Sequence, residues 1–312
     1  MIRFAILAAA ALALLPAGHA SAQTYKYSRI LYPKNQVSTH DINKSGIVVG
    51  GYFPSIGGLR PCFTYDMKSK NRTDLNDPDG ANGTECWGIN DAGTIVGDYY
   101  DANSNQNGYI YDGKNWTTIN PPNSVATTAE GISNTGLVSG KYLDSSGNQH
   151  GFIYDGKTYT TVDVKGDTTV DVFGINSAGD YVLSAVDNSG ATVSWLVSGK
   201  KKTPMNFPGS SLNAGHHIND AGLVSATWGD ANGVYHGGVW DTTANTYSDV
   251  FVPNSSATIG DGVNVKGVVA GRYQGVNGKS IGYAATPAKT ASFHAPARNV
   301  HTPKAQGKQV LY

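Results

Sequence analysis

Residues 150–162 read HGFIYDGKTYTTV, and the chain has already said nearly the same. GYIYDGKNWTTI at 108–119 stands against GFIYDGKTYTTV at 151–162, with eight of twelve positions identical and an offset of 43 residues. A single continuous core has no need to restate a phrase at a fixed distance. A stack of like units does.

A second phrase recurs more widely. GINDAGTIVG at 88–97 has relatives in DINKSGIVVG at 41–50, GISNTGLVSG at 131–140, GINSAGDYVL at 174–183, HINDAGLVSA at 217–226 and GVNVKGVVAG at 262–271. Taking Ile42, Ile89, Ile132, Ile175, Ile218 and Val263 as markers, the steps are 47, 43, 43, 43 and 45. A period in the forties is that of a repeat architecture in which each repeat is one supersecondary unit.

Each unit reads as four short strands. The first ends at the marker. Asn90-Asp91-Ala92-Gly93 then supplies turn chemistry, because Asn caps its own backbone and Gly takes a positive φ without steric cost. A β-branched and aromatic strand follows (TIVGDYY at 94–100), then a polar turn (DANSNQNG at 101–108), a third strand, an Asp-Gly turn at Asp112-Gly113 or Asp155-Gly156, and a fourth strand. No stretch sustains a helical period. The fold class expected is all-β, a six-bladed β-propeller of four-stranded antiparallel blades over residues 23–287, in which stacking buries the two faces of each blade. The marker residues are then packing residues. The N-terminus is expected to close the ring. Fourth-strand residues Ile119, Val162, Met205 and Val250 precede the next marker by 13, no fourth strand follows IGYAATP at 281–287, and Ile30 precedes Ile42 by 12. The strand at 25–32 is therefore read as the missing outer strand of the last blade, pairing near Ile281–Ala285.

These repeats resemble those of the bacterial extracellular HAF-repeat proteins, named for a His-Ala-Phe tripeptide before the third strand. The matching residues are His150-Gly151-Phe152, with His236-Gly237-Gly238 and Asn107-Gly108-Tyr109 as looser copies; Gly stands in the middle throughout. The resemblance covers the body of the chain. It implies a secreted bacterial protein and maps no catalytic motif onto these residues.

The flanks differ from the body. Arg3, an apolar run at 4–17 and Ala20-Ser21-Ala22 make residues 1–22 a secretory signal peptide in expectation, with the mature protein secreted or periplasmic and without an integral membrane segment. An oxidising destination suits a single disulfide between Cys62 and Cys86, which fall on adjacent blades. Residues 288–312, rich in Pro, Ala, Lys and Thr, are read as a disordered tail. Apart from Arg3 and the four tail cations, the body carries 18 basic and 23 acidic residues, so no nucleic-acid partner is expected.

Enzyme motifs are absent: no GxSxG, HExxH, P-loop or dinucleotide fingerprint is present. No cofactor or metal is expected. Asp101, Asn103 and Asn105 have part of a calcium-loop spacing but lack its glycine and its bidentate glutamate. One column stands out. Two residues before the markers the six units carry His40, Trp87, Glu130, Phe173, His216 and Asp261, far less uniform than the neighbouring columns. On innermost strands these residues would ring the axial channel, with Glu85 and Asp171 close by. The expectation is a monomeric, non-catalytic binding module that takes a glycan or protein ligand at the channel mouth. The alternative is a propeller glycosidase or lyase acting on extracellular polysaccharide through Glu130, Asp261 and a histidine.

Overall fold

The computed structural model describes residues 24–32, 36–53, 61–166, 169–186, 192–288 and 309–311. The expected signal peptide lies outside these residues. The described chain forms six antiparallel sheets of four strands arranged as a ring of blades, as the period predicts. The inner strands are Gln36–Ile42, Thr84–Ile89, Ser124–Ile132, Thr169–Ile175, Leu212–Ile218 and Ala257–Val263, each ending on its marker.

The turn after each marker explains why the phrase recurs. In the second blade Asn90 Oδ1 accepts from the backbone N–H groups of Ala92 and Thr94 at 3.1 and 2.9 Å. Gly93 there has φ +89°, a conformation that an L side chain resists. Asn90 Nδ2 also donates to the Ser133 carbonyl at 3.2 Å, and Asn264 Nδ2 reaches the Asn43 carbonyl at 3.0 Å. The turn residue therefore closes its own hairpin and ties its blade to the next. In the third blade Ser133 replaces Asn and keeps one cap, Oγ accepting from Leu137 N.

The core is six separate cores, each between two blades. Val49 and Cys62 of the first blade pack with Cys86, Ile89, Ile95, Tyr99 and Tyr109 of the second. Third strands meet the following inner strand so closely that glycine is required: a Cβ on Gly151 would sit 2.7 Å from Val172, and one on Gly282 would sit 2.8 Å from Val37. In the first blade this place is taken by Cys62, which forms the expected disulfide with Cys86 of the second blade, Cα atoms 5.2 Å apart. A covalent bond thus occupies a contact that in four other blades is a glycine against an inner strand; in the fourth blade it is Ser194, whose Oγ accepts from Gly215 N at 3.2 Å.

The ring closes as expected. Strand Tyr25–Ile30 pairs antiparallel with Ser280–Pro287, Ile30 opposite Gly282. That register repeats Ile119 opposite Gly108 and Val162 opposite Gly151. Ala288 still belongs to the ring, its N–H donating to the Thr24 carbonyl at 2.7 Å. Of the remaining tail, residues 309–311 run parallel to the outer strand Tyr159–Val164 of the third blade, and 289–308 lie outside the described residues.

Candidate functional site

All six inner strands carry a break in their pairing with the second strand, and in five of them it skips one residue. The register jumps from Thr39 to Asp41, Cys86 to Gly88, Ala129 to Gly131, Val172 to Gly174, and Gly260 to Gly262; in the fifth blade it jumps from Gly215 to Ile218. His40, Trp87, Glu130, Phe173, His216 and Asp261 are therefore bulge residues. They belong to the strand bodies, not to the loops that lead in. A bulge leaves its residue outside the ladder and re-aims the side chain, and this re-aiming makes the column free to vary.

The bulge residues form a linked belt. His40 stacks on Trp87 with ring centroids 4.3 Å apart, and Phe173 meets His216 edge-on at 5.4 Å. His40 Nδ1 donates to the Cys86 carbonyl at 2.6 Å, which leaves Nε2 to accept from Ser38 Oγ at 2.9 Å. The remaining partners come from the second strands, nine residues after the marker. Trp87 Nε1 donates to Asp98 at 2.6 Å. Lys141 Nζ lies 2.6 Å from both Glu130 and Asp171 and 5.6 Å from the Phe173 ring centroid. His216 Nε2 lies 3.2 Å from Thr227 Oγ1. Arg272 Nη1 donates to Asp261 at 2.9 Å and to Ser38 Oγ at 3.3 Å. His40, Glu130 and Asp261 are buried, 3%, 3% and 7% exposed, whereas Trp87, Phe173 and His216 are partly open.

The partner column was missed in the sequence although it varies as strongly. Gly51, Asp98, Lys141, Ser184, Thr227 and Arg272 are equivalent. Of the two further acids expected nearby, Asp171 is in the belt, and Glu85 acts through its charge on Asp98.

Burial dominates the electrostatics. It pushes the Asp98 carboxyl up to about 7, with Glu85 adding to the shift and hydrogen bonds from Gln106 and Trp87 opposing it. It pushes Glu130 up to about 7, with Asp171 adding and Lys141 opposing. The His216 imidazole is pushed down to about 4. Lys141 is pulled down by burial, but the charges of Glu130 and Asp171 outweigh this and hold it above the usual ammonium range.

One residue further along, the inner strands converge on the axis. Four of these positions are Gly88, Gly131, Gly174 and Gly262, where a Cβ would lie 2.5–2.8 Å from the next blade's backbone. The other two are Asp41 and His217, whose side chains meet, Nδ1 to Oδ2, at 3.4 Å. Asp41 also accepts from Ile42 N at 2.8 Å and Ile89 N at 3.0 Å. His216 and His217 thus serve different partners, as adjacent strand residues should.

Beyond this pair, on the side of the Asn turns, lies a cavity of ≈ 50 Å³. The marker residues, read as packing residues, line it together with Asn90, Asp91, Asn134 and Asp220. Asn134 Nδ2 bridges Asp91 and Asp220 across it at 3.0 and 2.9 Å. The space suits a few waters, far from the several hundred Å³ of a small-molecule site.

Two other candidate features are structural. Asp101 Oδ1 accepts from Asn103 N and Asn105 N, and Oδ2 accepts from Asn105 Nδ2, so the partial calcium loop caps itself. His150 bridges Asp163 at 2.6 Å and Asp144 at 3.3 Å, clamping its second-to-third-strand hairpin to the fourth strand.

No family model and no curated protein matches the chain. Solved structures match at the level of fold. The fucose-complexed lectin of Aleuria aurantia is 10% identical with a TM-score of 0.49, over 86% of this chain and 99% of that one. Oligogalacturonate lyase from Vibrio parahaemolyticus is 10% identical with a TM-score of 0.49, over 88% and 100%. Trypanosoma rangeli sialidase in complex with sialic acid is 10% identical with a TM-score of 0.50, over 87% of this chain and 60% of that one. At 10% identity the last of these speaks for the fold alone.

Proposed function

We propose that this is an exported, non-catalytic binding propeller that takes a glycan on the belt side of its axial channel. The observation that carries the reading is the commitment of the belt's charges to one another. Lys141 holds Glu130 and Asp171, Arg272 holds Asp261, and Trp87 donates to Asp98. Such a lattice is rigid and already organised, which favours binding by lowering the ordering cost. The partly open Trp87 and Phe173 rings offer faces to a pyranose. Export agrees with the Cys62–Cys86 disulfide, and among the described residues no helix is long and apolar enough to cross a membrane.

The enzyme reading has one point in its favour. With Lys141 Nζ 2.6 Å from each, the bonded oxygens of Glu130 and Asp171 are at most about 5.2 Å apart, near the spacing of a retaining pair. The ammonium, however, occupies the place where the glycosidic bond would have to lie, and both carboxylates are buried.

A glycan array probed with the mature protein, beside a panel of chromogenic glycosides, tests the reading. Binding without turnover is expected. Trp87→Ala should weaken it at least about tenfold, the scale of a lost aromatic anchor. Glu130 is best changed to Gln, because Ala would leave a void beneath Lys141. Turnover lost in Glu130→Gln would establish the enzyme instead, and binding indifferent to Trp87→Ala would place the site elsewhere.

A further inference from the structure

We infer that the ligand is a carboxylate-bearing sugar, held through its acid group by Arg272 or Lys141; this rests on the reading that the belt takes a glycan.

In each ion pair of the belt the cation is the member that a ligand can touch. The Arg272 side chain is 39% exposed and its partner Asp261 is 11% exposed. Lys141 is 31% exposed, while Glu130 and Asp171 are 4% and 10% exposed. The carboxylates form the floor and the cations stand on it. In each pair the cation is thus the member with more surface left for a sugar entering the belt, although the body as a whole is acidic.

Arg272 uses only Nη1, for Asp261 and Ser38. Its Nε–H and both Nη2–H groups have no partner among the described residues, and a guanidinium edge with that fork matches the two oxygens of a carboxylate. Lys141 spends two of its three N–H bonds on Glu130 and Asp171 and keeps one. Cations present only to neutralise buried acids would not need to face solvent with donors to spare.

Arg272 is linked through Ser38 to His40, which stacks on Trp87. Lys141 stands beside Phe173, which meets His216. Each half of the belt thus joins one half-satisfied cation to one partly open aromatic ring. A neutral sugar would use the ring and leave the donors idle. A cationic sugar would bring like charge against the exposed heads. An acidic sugar engages both.

The test is calorimetric titration of the mature protein with oligosaccharides of glucuronic, galacturonic and mannuronic acid and with sialyllactose, each paired with its methyl ester. At least one acid should bind, and its ester should bind about tenfold or more weakly. Arg272→Gln or Lys141→Gln should weaken the acid by more than the ester, so that the ratio of the two affinities falls towards one. Lys141→Gln strands two buried carboxylates and can unfold the blade, so Arg272→Lys is the second variant: it keeps the charge, removes the fork, and should lose most of the preference. Equal binding of acid and ester overturns the inference and leaves the belt as a neutral-sugar site; a preference undiminished both in Arg272→Lys and in Lys141→Gln, the latter combined with Glu130→Gln and Asp171→Asn should the single variant not fold, overturns it as well. If no sugar of either kind binds, or binding survives Trp87→Ala, the broader reading falls and takes this one with it.

Discussion

Asp98 shows how a single residue records the cost of the site. Its carboxyl is buried under Trp87 and Gln106, and burial raises it to about 7. An unfolded aspartate titrates near pH 3.9. Between about pH 4 and 7 the folded chain therefore binds a proton that the unfolded chain has released. The stabilising contribution of this group is complete below about pH 4 and is lost as the pH rises through 7. Asp98→Asn mimics the protonated acid at every pH. Its melting temperature should gain on the parent's as pH is raised from 5 to 8; parallel curves for the two proteins would mean that Asp98 titrates normally. At this scale the sequence was partly legible. Aligning the repeats isolated His40, Trp87, Glu130, Phe173, His216 and Asp261, because a column that breaks a repeat is visible in the chain itself. It did not reveal Lys141 or Arg272 as their partners, because pairing across two strands depends on a register that the bulge shifts.

At the scale of the element, the turn and the bulge divide the work. The Asn turn is an interaction within a few residues, so its signature survives in sequence and fixes where each inner strand ends. The bulge has no residue signature, since its backbone accepts His, Trp, Glu, Phe or Asp alike. It could be inferred only as variation. The disulfide belongs to this scale as well, since Cys62 and Cys86 stand where four other blades place a glycine against an inner strand. The bond closes a loop with a sequence separation of 24. Constraining the unfolded chain over such a loop is worth about 3 kcal/mol. Replacing both cysteines by Ala should reduce the free energy of unfolding by about that amount in denaturant titration, with the blades retained. A loss under about 0.5 kcal/mol would show that packing already holds the two strands together.

For the whole molecule, the ring is a circuit that the chain closes with its two ends. Ile30 is 2% exposed and packs in a core with Val37, Ile42, Val48 and Phe63 of the first blade and Val268, Ala270 and Ala284 of the sixth. The six-residue ladder of Tyr25–Ile30 therefore fixes the last blade and supplies apolar area to its contact with the first. The period in the forties and the offset of Ile30 from its marker made this closure legible. The axial plug was not legible, since Asp41 and His217 meet only because four glycines let six strands converge. Deleting residues 23–32 from the mature protein should leave the edge of Ser280–Pro287 unpaired and the inter-blade core open. Exposed strand edges recruit other edges, so the variant is expected to oligomerise or aggregate in light scattering and to lose its cooperative melt. A simple loss of stability could come from any truncation, so a permuted chain separates the two causes. Thr24 and Ala288 are already hydrogen-bonded at 2.7 Å, and a short Gly-Ser linker can join them. New ends can be opened in the exposed hairpin at Asn103. This permutant keeps the ladder while moving the ends, so it should keep the parent's oligomeric state and melt within a few degrees of it. If the deletion remains a monomer with an unchanged melt, the N-terminal strand is dispensable and the ring is held by its six inter-blade cores alone.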